Sequence, residues 1–224
     1  MFPIRDFNRS LTTPHINRML IMTNVIVFLV MLLSDFGVIN NDFLTNINEN
    51  FALFPYYIFH GEGLYTLFTS MFLHAGFLHL FGNMLYLYIF GDNVEDVFGH
   101  ASYFAFYIFC GLAAAFTFIL SLTSLNPNDC VVGASGAISG VLGAYLVLYP
   151  KAKVLTLVLY GWPIIVPIPA ILFLGFWFLM QWLLGIFDVT GHVAYWAHIG
   201  GFIAGVILAL TIGRKRKKAK EIRL

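Results

Sequence analysis

Long apolar stretches separated by short polar breaks run through most of the chain, and six of them come near the length of a membrane span. They extend roughly from Met19 to Val38, Phe77 to Val97, Ala101 to Thr123, Ser135 to Tyr149, Pro169 to Phe187 and Ala194 to Ile212. A helix rising 1.5 Å per residue needs about 20 residues to cross a hydrocarbon core of roughly 30 Å. The apolar run from Val154 to Phe187 is too long for a single span. Pro163, Pro167 and Pro169 break its first half, so the pattern predicts an elbow at the membrane interface there, with Pro169 in the first turn of segment five. The expected fold is an all-α membrane bundle of six transmembrane helices.

Composition agrees with that reading. Of 224 residues, 60% are hydrophobic and only 10% charged, and the mean hydropathy is +0.85, which excludes an ordinary soluble domain. The cations fall in three places: Arg5, Arg9 and Arg18; Lys151 and Lys153; and Arg214, Lys215, Arg216, Lys217, Lys218, Lys220 and Arg223. If six helices alternate, all lie on one side, which the positive-inside rule makes the cytoplasm, with both termini there. The loops left outside carry Asp42, Glu49, Glu62, Asp129 and Asp188 but no Lys or Arg.

The domain boundaries expected are a cytoplasmic segment over 1–18, a six-helix domain over 19–213 and a basic tail over 214–224. The tail reads as a topology signal resting on anionic lipid, with no nucleic-acid role. Segment one follows a polar stretch and lacks a small-residue cleavage site after it, as expected of a retained anchor. Cys110 and Cys130 define neither a metal site nor a disulfide framework. Residues 39–76 form an aromatic outer connection, through Phe51, Phe54, Tyr56, Tyr57, Phe59, Tyr65, Phe68 and Phe72, expected to lie partly in the interface.

Polar residues inside apolar segments carry the candidate chemistry. His79 and Asn83 are one helical turn apart and share a face, with His74 just upstream; such groups face a protein interior or a wet cavity. Ser135 stands between Gly133-Ala134 and Gly136, where segment four begins, and His198 stands early in segment six. Ser135 lies 16 residues before Lys151, and His198 lies 16 residues before Arg214. Each interval is about 24 Å of helix, so the two side chains sit at equal depth, just below the outer surface. Gly136, Gly140 and Gly143 on one segment, and Gly201 and Gly205 on the other, are small-residue stripes that allow close helix approach. A hydroxyl becomes a useful nucleophile when an imidazole removes its proton. The start of a helix offers unpaired backbone N–H groups to an oxyanion, and the Asn83 amide and His79 ring are further donors. With no carboxylate expected at the depth of His198, the arrangement is a Ser-His dyad. Gly91, Glu95 and Gly99, with Asp92 and Asp96, fall at the other end of segment two, where structural roles are expected. Segment three reads as packing.

In that order, His74-x4-His79-x3-Asn83, Gly91-x3-Glu95-x3-Gly99, Gly133-Ala134-Ser135-Gly136 and Ala197-His198-x2-Gly201-x3-Gly205 resemble the rhomboid family of intramembrane serine proteases. The resemblance spans about residues 60 to 205. GxSG alone is a weak signal; the ordered set is specific. It implies Ser135 as nucleophile, His198 as general base, and His79, Asn83 and the Ser135 backbone N–H around the oxyanion. It implies cleavage in or near transmembrane helices of membrane-protein substrates, without metal or organic cofactor, at a site opening to the extracytoplasmic side of a prokaryotic plasma membrane. It assigns gating to Phe173, Phe176 and Trp177. Two departures stand out: Leu64-Tyr65 replaces the Trp-Arg of many relatives, and Ser139 stands where an aromatic commonly packs against the histidine. That histidine is then expected to rest on Trp196 or Tyr195. The alternatives are an inactive rhomboid-like protein that binds membrane helices, and a metal transporter using His74, His79 and His198. Neither substrate identity nor oligomeric state is encoded in any of these patterns.

Overall fold

The computed structural model of the chain describes residues 1–38, 46–187 and 193–222; Asp42 and Asp188 fall outside them. Each apolar segment forms a helix. Strand β1 (Phe2–Asp6) precedes α1 (His15–Asp35). Three short helices follow, α2 (Ile47–Phe51), α3 (Pro55–Phe59) and α4 (Thr66–Thr69), with a 3-10 turn over Ser70–Phe72. Then come α5 (Phe77–Phe98), α6 (His100–Ser121), α7 (Ser135–Leu148), β2 (Lys153–Tyr160), β3 (Trp162–Pro169), α8 (Ala170–Phe187) and α9 (Tyr195–Leu208). A π-helical turn over Ala209–Gly213 leads into the basic helix α10 (Arg214–Glu221).

Among the described residues, four helical stretches are long and apolar enough to cross a membrane by themselves: α1, α6, α8 and the continuous run from Tyr195 to Glu221. A fifth candidate is α5, bent by 94° from the helical turns of Thr66–Phe72. At 14 residues, α7 is about 21 Å long and falls short of a full span. Its shortness follows from its position, since it begins inside the bundle at Ser135 rather than at a surface.

The expected interfacial elbow is a β-hairpin. Strands β2 and β3 pair antiparallel from Lys153↔Pro169 to Tyr160↔Trp162, with Gly161 at φ 70° in the tip, and β1 pairs on the other side of β2. Pro163, Pro167 and Pro169 fit because β3 is an edge strand, and all three occupy the alternate positions whose amides point away from β2.

Helix α7 is the hub, packed between α9 and α6. A Cβ on Gly201 would strike the Gly136 carbonyl oxygen, and one on Gly205 the Gly140 carbonyl oxygen; glycine is what lets α7 and α9 meet backbone to backbone. Gly136 and Gly140 turn their own Cα faces toward Ala114 and Cys110 of α6, so that helix is packing, as its sequence suggests.

At the far end of α5 the acidic residues make structural contacts, as their position in the sequence leads one to expect. Glu95 is fully buried and accepts the backbone N–H groups of Ile16 (3.0 Å) and Asn17 (2.7 Å), capping the first turn of α1. Asp96 holds the Thr12 amide at 2.8 Å and the Lys220 ammonium at 2.7 Å. Arg216 binds the Phe98 carbonyl and Lys217 the Leu148 carbonyl, so cations of α10 gather at the end of the bundle where Glu95 and Asp96 hold the N-terminal segment. The substituted pair in the outer connection is used as well. Tyr65 donates its hydroxyl to the Asn50 carbonyl at 2.9 Å and sets its ring edge-on to Phe51.

Candidate active site

Ser135 is the first residue of α7, so its hydroxyl stands where the helix still has unpaired N–H groups. His198 lies in the first turn of α9. Its Nε2 is 2.8 Å from the Ser135 Oγ, the contact that their equal depth makes feasible. The ring's other nitrogen, Nδ1, is 2.7 Å from Oε1 of Gln181 on α8. An amide oxygen only accepts, so Nδ1 carries the proton and Nε2 presents its lone pair to the serine hydroxyl.

Gln181 was not among the residues singled out by sequence. A polar side chain inside an apolar helix was the available signal, sharpened by its position four residues after Trp177, on the same face. The Trp177 ring lies 6.0 Å from the His198 ring, and Tyr195 meets it edge-on at 6.4 Å. Trp196 does not: its indole N–H donates to the Gly185 carbonyl at 3.1 Å. Ser139 donates its hydroxyl to the Ser135 carbonyl at 2.6 Å, so the ring contact supplied elsewhere by an aromatic at that position comes from α8 and Tyr195.

His79 and Asn83 come to the same place. Gly133 has φ 126°, and a Cβ there would lie 2.8 Å from the His79 imidazole and 3.7 Å from the Asn83 amide nitrogen. That amide nitrogen is buried without a hydrogen-bond partner in the protein. It is a donor awaiting an acceptor. His74 lies behind, almost fully buried, with its ring 5.1 Å from that of His79. A cavity of ≈ 630 Å³ is lined by Ser135, His198, His79, Asn83, Met71 and Trp177.

The expected gating aromatics separate. Phe173 is buried and stacks on Phe90 at 6.4 Å, Trp177 lies against the candidate base, and Phe176 is exposed.

Residues 61–215 match the Rhomboid domain model. The chain belongs to the rhomboid family. Among its relatives, it is 31% identical to Rhomboid protein 1, mitochondrial, of Saccharomyces cerevisiae over 69% of this chain and 44% of that protein. It is 34% identical to RHOMBOID-like protein 1 of Arabidopsis thaliana over 69% of this chain and 36% of that protein. It is 36% identical to the Rhomboid protease GluP of Bacillus subtilis over 65% of this chain and 26% of that protein. The rhomboid chain thus matches less than half the length of each. Their names cover mitochondrial, plant and bacterial proteins, so the similarity selects no compartment for it.

Proposed function

We propose that this rhomboid is an intramembrane serine endopeptidase that hydrolyses peptide bonds in or near transmembrane helices of other membrane proteins. The observation that carries the reading is the 2.8 Å contact between His198 Nε2 and Ser135 Oγ inside a cavity that also receives an unpartnered amide donor. In this mechanism Nε2 takes the hydroxyl proton as Oγ attacks the scissile carbonyl. The Ser135 backbone N–H, the Asn83 amide and the His79 ring hold the resulting oxyanion. His198 then returns its proton to the leaving amine, and water repeats the sequence to release the acyl group. Gly133, Gly136, Gly201 and Gly205 keep the helices close enough for the dyad to form, and His74 backs His79.

The proposal includes six spans over residues 19–213, with the short α7 among them, both chain ends assigned to the cytoplasmic side by their cations, β1 dipping back beside α5, and the cavity opening to the opposite face. The proposal places the chain in a prokaryotic plasma membrane, in which the distribution of cations would orient it as stated.

Labelling with a fluorophosphonate and mapping the adduct tests the assignment. The reagent is expected on Ser135, and Ser135→Ala is expected to abolish both labelling and cleavage of a single-span substrate in detergent. An adduct elsewhere overturns the site. Capture of that substrate without cleavage by the unaltered chain supports an inactive helix-binding protein instead.

A further inference from the structure

The hairpin of β2 and β3 poses a problem that the proteolytic reading does not touch. From Leu157 to Pro169 it contains no charged residue, and toward its tip both of its faces are open. Trp162 is 82% exposed and Leu159 76%, while Ile164 and Ile165, adjacent in sequence and therefore on opposite faces, are 47% and 56% exposed. A two-stranded ribbon of this composition has no reason to stand in water.

Its placement beside α5 indicates what covers it. Asp6, at one end of β1, accepts from the Asn93 amide at 3.1 Å, whereas Phe2, at the other end, stacks on Phe81 at 6.4 Å. Those two α5 residues are about 18 Å apart along the helix axis, so the sheet runs alongside α5 rather than across its end. Phe2 pairs with Leu157, so the tip extends further along α5 than Phe81, which is two residues beyond His79. The cations Arg5, Lys151 and Lys153 all sit at the base of the sheet. Phe77 and Phe81 on α5, themselves stacked and exposed, continue the same apolar surface.

The outer edge of β3 bears on the choice between lipid and a second copy of the chain. Of the four outward-facing positions on β3, 163, 165, 167 and 169, three are proline, leaving Ile165 as the single N–H donor there. An edge stripped of donors cannot take on another strand. In a bilayer, that edge leaves a single amide hydrogen without an acceptor, although its outward carbonyls stay open.

We infer that the hairpin is immersed in the bilayer beside α5, with acyl chains as the partner of its exposed faces and its tip at least as deep as the cavity. Nitroxide accessibility in phosphatidylcholine and phosphatidylglycerol vesicles tests this. The label goes on Trp162→Cys in a Cys130→Ser background, Cys110 being fully buried, with Leu159→Cys as a second reporter should the first fail to fold. Leu172→Cys on α8 and Lys151→Cys serve as lipid and water references. Oxygen is expected to relax both hairpin labels several-fold more than a water-soluble nickel complex does, as at Leu172. Nickel accessibility matching that at Lys151 overturns the inference, and so does protection from both reagents, which would mean protein cover from a second copy or a substrate helix. Neither arm reads proteolysis, so the result stands whether or not the chain is a protease.

Discussion

His198 is committed at both ring nitrogens, one to Ser135 and one to Gln181. A neutral amide supplies the orientation that a carboxylate supplies in a three-residue site, without placing a charge in the membrane interior. Gln181→Leu is therefore expected to lower kcat about 10- to 100-fold, less than the ~10⁴-fold lost when a charged orienter is disabled, with KM little changed. Gln181→Glu, which keeps an acceptor, restores part of the loss. Steady-state cleavage of a single-span substrate measures both. Asn83→Ala removes the buried amide donor proposed for the oxyanion and is expected to cost about 10²- to 10³-fold in kcat, with fluorophosphonate labelling of Ser135 also slowed. Ser135, His198, His79 and Asn83 were legible in the sequence because polar residues are conspicuous in apolar helices and helical rise converts sequence distance into depth. Gln181 escaped because it stands alone in its helix with no second polar residue to mark its face.

Among the elements, the crossing of α7 and α9 is the most sensitive to volume. Gly205 faces the Gly140 carbonyl so closely that a methyl group has no space. Gly205→Ala is expected to destabilise the protein by about 1–3 kcal/mol, the usual penalty of overpacking, and to reduce activity by widening the gap between the dyad residues; thermal unfolding in detergent and the cleavage rate report the two effects. Gly82, with open space beside it, is the control position for the same substitution. The helices themselves were readable from their apolar lengths, and the Gly136, Gly140 and Gly201, Gly205 stripes correctly announced their contact. The hairpin was not readable. Its strands are apolar on both faces, so the two-residue alternation that marks a strand is missing, and its prolines suggested a break until the edge position of β3 explained them. The pairing of β1 with β2 joins residues far apart in sequence, which no local pattern encodes.

At the scale of the whole molecule, polar side chains far apart in sequence tie together the end of the bundle that holds Asp6, Asn93 and Tyr145. Asp6 accepts the Tyr145 hydroxyl at 2.5 Å and an Asn93 amide hydrogen at 3.1 Å, and burial pushes its carboxyl up from 3.8 to about 6, with the Tyr145 bond opposing that shift. A carboxyl raised on folding binds its proton more tightly in the native state, so its contribution is fully present below pH 4 and is lost as pH rises toward and through 6. The melting temperature is expected to fall over that interval. Asp6→Asn, which stays neutral throughout, is expected to flatten that part of the profile in thermal melts taken at successive pH values.

The pairing of Phe2 with Leu157 also sets an order of assembly. Residues 2–6 emerge from the ribosome roughly 150 residues before their partner strand and, at synthesis rates of about 5–20 residues per second, wait many seconds for it. Through that interval β1 has no sheet to join, while Glu95 arrives early enough to fasten the start of α1. Synthesis of α1 through α7 thus precedes closure of the sheet, and a nascent chain halted before the hairpin is made would hold α1 with a dangling, protease-sensitive β1.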